Sequence, residues 1–273
     1  MAMVINTNTA SLGAQRNLSN TQRNLSQNLQ RLSSGKRVNS SQDDAAGLAI
    51  SERMSAQTRS LQQAARNAQD GLSMGQVAEG AMNEQSGILT RLRELAVQSA
   101  NGTLGTSDRD YIQAEATQLV QEVTRISEVT EFNGVSVIGA GATSLDLQVG
   151  INNGDTVSLA FVATDAATLG VDALDFTSAT GASAAIDAID TAIDTLSTGR
   201  STIGSVMNRL NVTLNNLSAA NENLSAANSR IRDVDVAEET ASMTRNQILS
   251  QAGVAVLAQA NQFPSSALAL LGR

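Results

Sequence analysis

Residues 186–231, IDAIDTAIDTLSTGRSTIGSVMNRLNVTLNNLSAANENLSAANSRI, decide the fold. Ile189, Leu196, Ile203, Leu210, Leu217, Leu224 and Ile231 recur at every seventh position. Seven residues bring a helix almost back to the same face, so these rungs predict one long helix with a coiled-coil seam, about 65 Å at ~1.5 Å per residue. The positions three residues before each rung read Ile186, Ile193, Arg200, Met207, Leu214, Asn221 and Asn228. They are apolar at first and carry amides at the end. Those Asn residues either fix register and partner number, or lie at the edge of the packing and meet water.

The N-terminal half answers with Met54, Leu61, Ala68, Gly75, Met82, Leu89 and Ala96, a second seven-residue ladder rich in small rungs. Small residues let helix axes approach to the short end of the usual ~8–10 Å. Ser41-x-x-Asp44 has the form of a capping box opening this helix, and Asn101-Gly102 with Gly105 closes it. Ser107, followed by Asp108 and Asp110, is the expected cap of a third helix with the stripe Ile112, Ala116, Leu119, Val123 and Ile126. Asn133-Gly134 then turns the chain. Past it the period falls to two: Leu145, Leu147 and Val149 alternate, Asn152-Asn153-Gly154-Asp155 turns, and Val157, Leu159 and Phe161 return, which predicts a β-hairpin. The rest, to Gly181, is Ala, Thr, Ser and Asp with little pattern. It is expected to be a short exposed segment, at about 135–182 with the hairpin.

Both ends repeat the coiled-coil logic on narrower stripes. Leu18, Leu25 and Leu32 stand seven apart with Leu29 beside them, and Leu249, Ala252, Val256, Ala260 and Phe263 follow 3-4-4-3 spacing. Either end alone makes a marginal helix in water. No charged residue occurs between Arg245 and Arg273, where the chain-wide 16% would place about four, and the first charge at the other end is Arg16. Ends built this way are expected to be buried against each other and against neighbouring copies.

Composition narrows the chemistry. Aromatic residues make up 2% of the 273, so the core must be aliphatic and thin, and a single proline, Pro264, leaves very long helices permitted. There is no Cys and no His, which removes disulfides, Ser-His and Cys-His catalysis and the usual zinc ligands. No catalytic, cofactor-binding or metal-binding residue is expected. Ser33-Ser34-Gly35-Lys36 lacks the first Gly and the final Ser or Thr of a phosphate loop, and Asp43-Asp44 lies where a helix N-terminus favours acid. The net charge of -8 argues against nucleic acid. The acid is concentrated: residues 126–199 hold ten carboxylates and no base, so this middle stretch is taken as water-facing. No stretch is apolar enough to span a membrane, the tail lacks the basic residues of an interfacial helix, and the N-terminus has no basic region or cleavage site of a standard secretory signal.

The residues also resemble a known family, bacterial flagellin, at both ends of the chain. Val4-Ile5-Asn6-Thr7-Asn8 is followed by Leu32-Ser33-Ser34-Gly35-Lys36-Arg37-Val38-Asn39 and Asp43-Asp44-Ala45-Ala46-Gly47-Leu48-Ala49-Ile50. Next come Arg66-Asn67-Ala68-Gln69-Asp70-Gly71, Arg93-Glu94-Leu95-Ala96-Val97-Gln98 and Glu131-Phe132-Asn133-Gly134. Asn228-Ser229-Arg230-Ile231-Arg232-Asp233, Gln247-Ile248-Leu249 and Leu257-Ala258-Gln259-Ala260-Asn261 complete the set.

The resemblance implies a mainly α fold, a long antiparallel helical coiled-coil rod with paired terminal helices and a small β-hairpin region. Residues 1–44 plus 236–273 would form an inner, lumen-lining coiled-coil domain, and 45–235 a helical rod domain without large outer domains. It implies a structural subunit that self-polymerises into the flagellar filament used for swimming, through stripes containing Leu18, Leu25, Leu29, Leu32, Leu249, Val256 and Phe263. The implied partners are copies of itself, the hook-filament junction and cap proteins, a cytoplasmic export chaperone at the C-terminal tail and the flagellar type III export apparatus. The implied location is the extracellular filament, reached without a cleaved signal. Some flagellins also bind an innate Toll-like receptor through a segment matching Arg91, Leu95 and Glu115, although Thr90 stands where many recognised members carry Gln. The alternatives are a hook-filament junction protein and a soluble coiled-coil adaptor secreted by a type III system, neither of which polymerises without limit.

Overall fold

The computed structural model describes residues 7–271, with side chains described to residue 262, so that Phe263 of the expected stripe lies outside the described side chains. The described residues are mainly helical: α1 (Thr9–Ser34), α2 (Ala45–Ser99), α3 (Thr106–Val129), the short α4 (Ala166–Leu169), α5 (Ala179–Arg232) and α6 (Val236–Leu271). Two antiparallel strand pairs lie between α3 and α4, β1 (Glu131–Phe132) with β2 (Val135–Ser136) and β3 (Leu145–Gln148) with β4 (Thr156–Leu159). The expected hairpin is the second pair, in the register Leu145 to Leu159 and Leu147 to Val157. The first is closed by Asn133 and Gly134, both at positive φ (52° and 77°), as a two-residue turn matching the twist of its strands requires.

The helix ends are set by carboxylates and amides. Asn8 caps α1 by accepting from the Ser11 N–H at 3.0 Å, and Gly35 ends it in the left-handed region, φ 68°. The opening of α2 differs from the expected capping box. Asp44 itself is the cap, accepting from the Gly47 N–H at 2.9 Å, while Ser41 lies in the preceding turn. The start of α3 also differs: it is two residues earlier than Ser107 suggests, capped at Gly105, whose N–H donates to the Asp108 carboxylate. Asp235 opens α6 by accepting from the N–H groups of Ala237 and Glu238.

The chain divides into two compact units, Gln57–Glu222 and Met1–Ala56 with Asn223–Arg273; α2 and α5 contribute to both. In the first, α2 and α5 run antiparallel, since Gly71 lies beside Leu210, Gly75 beside Met207 and Ile203, and Met82 beside Gly199. The ladder from Leu61 to Ala96 and the rungs Ile189 to Leu217 are buried there. The companion rungs of α5 are not the expected ones. Ala185, Ala192, Gly199 and Val206 are buried, whereas Ile186, Ile193, Arg200 and Met207 flank the seam half-buried. Small residues thus fill the second seam position and admit α2 closely.

The segments on either side of the hairpin are a correction. Val137, Ile138, Leu169, Val171 and Phe176 are all buried, so residues 136–178 close the core of this unit rather than merely decorate it. Buried polar groups pin them. Gln85 of α2 donates to the Val123 and Thr164 carbonyls at 3.1 Å each, and Ser99 donates to the Phe176 carbonyl at 2.5 Å. Gln113 copies a strand edge, donating to Leu174 O and accepting from Phe176 N–H.

Candidate assembly surface

In the second unit α1 and α6 pair along their length in opposite directions. Leu18 sits against Gly253 and Asn8 donates to the Ala260 carbonyl at 2.8 Å. Arg31 reaches Glu239 at 3.8 Å, and the backbones of Lys36 and Asp233 pair as an isolated antiparallel β-bridge. The residues that are buried or half-buried on α1 include Ser11, Ala14, Leu18, Thr21, Leu25, Asn28 and Leu32, alternating three and four apart. On α6 the corresponding set is Glu239, Met243, Asn246, Ser250, Gly253, Leu257 and Ala260. That is a coiled-coil seam in which leucine shares the interior with hydroxyls, amides and a carboxylate.

The large aliphatics of α6 lie elsewhere. Ile248, Leu249, Val254 and Val256 are 50–60% exposed, and on α1 Leu12 and Leu29 are each 50% exposed. The expected 3-4-4-3 stripe of α6 is therefore split, with Ala260 on the intrachain seam and Leu249 and Val256 facing out. Of the other expected stripe residues, Leu18, Leu25 and Leu32 are half-buried on the seam and Leu29 is outward. Fully burying a Leu, Ile or Val side chain is worth about 1.5–3 kcal/mol. Leaving six at least half-exposed forgoes much of that gain unless another surface covers them.

Two polar devices hold the pair. At its tip Pro264, which has no N–H, leaves the Ala260 carbonyl without its helical donor, and the Asn8 side chain supplies one. At its base the turn after α1 is laced to the end of α5: Arg37 N–H donates to Arg232 O at 2.7 Å, Val234 N–H to Gly35 O, and the Arg37 guanidinium to Ile231 O. Arg37, Arg230 and Arg232 also place positive charge where the carbonyl end of α5 favours it. Asp43 ties down the loop before α2, accepting from Asn39 and Ser40 N–H groups, and hydrogen bonding from the Ser40 backbone is the main reason its carboxyl is held below the usual range.

Sequence reasoning did not find the α6 seam, because its interior residues are Glu, Asn, Ser and Gly; only their 3-4 spacing, read without regard to hydropathy, would have shown it. Of the receptor-like residues, Arg91 and Glu115 are joined by an ion pair at 2.8 Å on the surface of the first unit, and that bond raises the Arg91 pKa. Leu95, 1% exposed, is in the core beneath them. A similar forked pair, Arg93 with Asp190, links α2 to α5 and keeps the Asp190 carboxyl low. Among the described residues no group of His, Cys, Asp and Glu could hold a metal ion, and no helix is long and apolar enough to cross a membrane.

Two family models match the chain: the bacterial flagellin N-terminal helical region over residues 5–143, and the bacterial flagellin C-terminal helical region over 186–271. A flagellin of Halalkalibacterium halodurans is 47% identical, covering 98% of this chain and all of that one. The flagellar filament 33 kDa core protein of Treponema phagedenis is 43% identical, over 98% of this chain and all of its own length. Among solved structures, Bacillus cereus flagellin matches with a TM-score of 0.52 at 34% identity, covering 60% of this chain and 94% of that one. Matches that run across both terminal helical regions and the full length of a relative leave one conclusion: the chain belongs to the bacterial flagellin family.

Proposed function

We infer that this chain is a structural subunit that polymerises with copies of itself into the flagellar filament. The observation that carries the reading is the exposure of Ile248, Leu249, Val254 and Val256, spread around the faces of a helix that its own partner leaves uncovered. A second copy is the occupant that a filament subunit supplies, and repeated heterologous contacts of one surface with another build an open helical polymer. The family is one of structural proteins, and no catalytic role is assigned to any residue here.

The finer parts of the reading follow from the same surface. Residues 1–44 with 236–273 would line the lumen as an inner layer, and 45–235 would form the layer outside it. An export chaperone would cover the uncharged tail before secretion through the type III apparatus, which suits exposed aliphatics that would otherwise aggregate. Recognition by a Toll-like receptor would run through Arg91 and Glu115, with Leu95 supporting them from within.

Truncation tests the central point. Removing 246–273 should leave the remaining chain helical by circular dichroism yet unable to form filaments visible by electron microscopy. Filaments of normal yield from the truncated chain would refute the reading.

A further inference from the structure

We propose that Asn28, with Arg31 and Glu239, is a rotational lock that decides which faces of α1 and α6 turn inward, and thereby which aliphatics are left for other copies. α1 has two competing seams. Leu18, Leu25 and Leu32 belong to both, and the companion positions are either Ala14, Thr21 and Asn28 or Gln15, Gln22 and Leu29. Hydrophobic burial favours the second, since it gains Leu29, and on α6 it likewise favours turning Leu249 and Val256 inward. The structure adopts the first on both helices.

The polar network supplies the opposing term. Asn28 is 7% exposed and Glu239 9%. In the orientation its neighbours dictate, the Asn28 amide donates to Glu239 Oε1 at 3.1 Å and to Asn24 O at 2.8 Å, and accepts from Asn246 Nδ2 at 3.2 Å and Met243 N–H at 3.0 Å. Every hydrogen-bonding position of the amide is filled. Arg31 lies 3.8 Å from the other oxygen of Glu239. Turning α1 toward Leu29 breaks these bonds and swings the amide away from its partners, whereas the aliphatic contacts alone tolerate the turn. A polar group buried in a coiled-coil seam commonly fixes alignment at some cost in stability. The lock stands on this geometry; its consequence for assembly rests on the polymerisation reading above.

The chain has no cysteine, so engineered pairs report cleanly. Thr21→Cys with Ser250→Cys reports the observed seam, since the two positions face each other there half-buried and neither belongs to the competing one. Gln22→Cys with Leu249→Cys reports the competing one, and the ratio of the two disulfide yields is compared in otherwise identical full-length chains. Asn28→Ala should shift that ratio about tenfold toward the competing pair, the weight of a buried hydrogen bond or two. Asn28→Leu also removes the amide but puts the larger apolar side chain on the observed seam, and should leave the ratio as in the parent. A role limited to stability would move both variants alike. An unchanged ratio in Asn28→Ala, or the same shift in Asn28→Leu, overturns the lock. The ratio is read on free chain and on polymer separately. Failure of the parent to polymerise would count against the function, while the free-chain ratio would still decide the lock.

Discussion

The two compact units use the same seven-residue repeat to opposite ends. In the unit spanning 57–222 the repeat positions carry Leu89, Leu196, Ile203 and Leu210, all buried, and three helices with a connecting segment close a common core. In the unit made of the chain ends the repeat positions mix Leu18, Leu25 and Leu32 with Ser11, Asn28, Asn246 and Glu239, and Leu29, Ile248, Leu249, Val254 and Val256 stand outside the seam in water. Charge divides the same way. The first unit holds eight basic and nineteen acidic residues, the second ten and seven. One unit encloses most of its large aliphatics within its own chain; the other leaves many of its own exposed.

The comparison breaks most sharply if aliphatic truncation has the same effect in both. Leu196→Ala should cost about 2–5 kcal/mol of unfolding free energy in the free chain, measured by denaturant, because the cavity it leaves is enclosed. Leu249→Ala should change free-chain stability by no more than about 0.5 kcal/mol, the range of surface substitutions, while raising the critical concentration for polymerisation. Equal losses in the two variants would mean that the ends bury their aliphatics after all.

A smaller effect probes how closely the first unit packs. A Cβ on Gly75 would stand 3.0 Å from Met207 Cγ and 3.1 Å from its sulfur. Gly75→Val should therefore destabilise by about 1–3 kcal/mol through overpacking, seen as a lowered Tm. A neutral result would show that Met207 simply moves aside.

The long repeats of α2 and α5 were legible because apolar and small residues coincide with the geometry: Ala68, Gly75 and Ala96 are buried where the period places them. The α6 seam was not, since hydropathy and geometry part company there, and a reader weighting aliphatics assigns Leu249 and Val256 to one continuous stripe with Ala260. Phe176 and Val171 were missed for a related reason. They act as single plugs in an irregular segment held by the side chains of Gln113 and Ser99, a tertiary arrangement that leaves no period in the sequence. The caps were displaced by a few residues because the side chains that bond the first turns, Asp44 to Gly47 N–H and Asp108 to Gly105 N–H, are fixed only by the folded backbone.

The unit of the chain ends offers two subtler probes. Asn8→Ala removes a helix cap and leaves the Ala260 carbonyl without a donor. About 1–2 kcal/mol of local protection should be lost in α1 and α6 and none in 57–222, as amide hydrogen exchange on the polymer can show. Asp43 gives the smallest signal. Its folded pKa is depressed, so its contribution is present above the ordinary carboxylate value and fades as pH falls through that range, below about pH 4. Asp43→Asn should flatten this dependence for amides 39–44; an unaltered acid profile would mean that another group governs the loop.

Amide hydrogen exchange of the intact chain, free and polymerised, tests the central claim most directly. The account predicts slow exchange across the interior of 57–222 in both states, with α1 and α6 exchanging fast in the free chain and becoming protected on assembly. Helices α1 and α6 as protected in the free chain as in the polymer would contradict it.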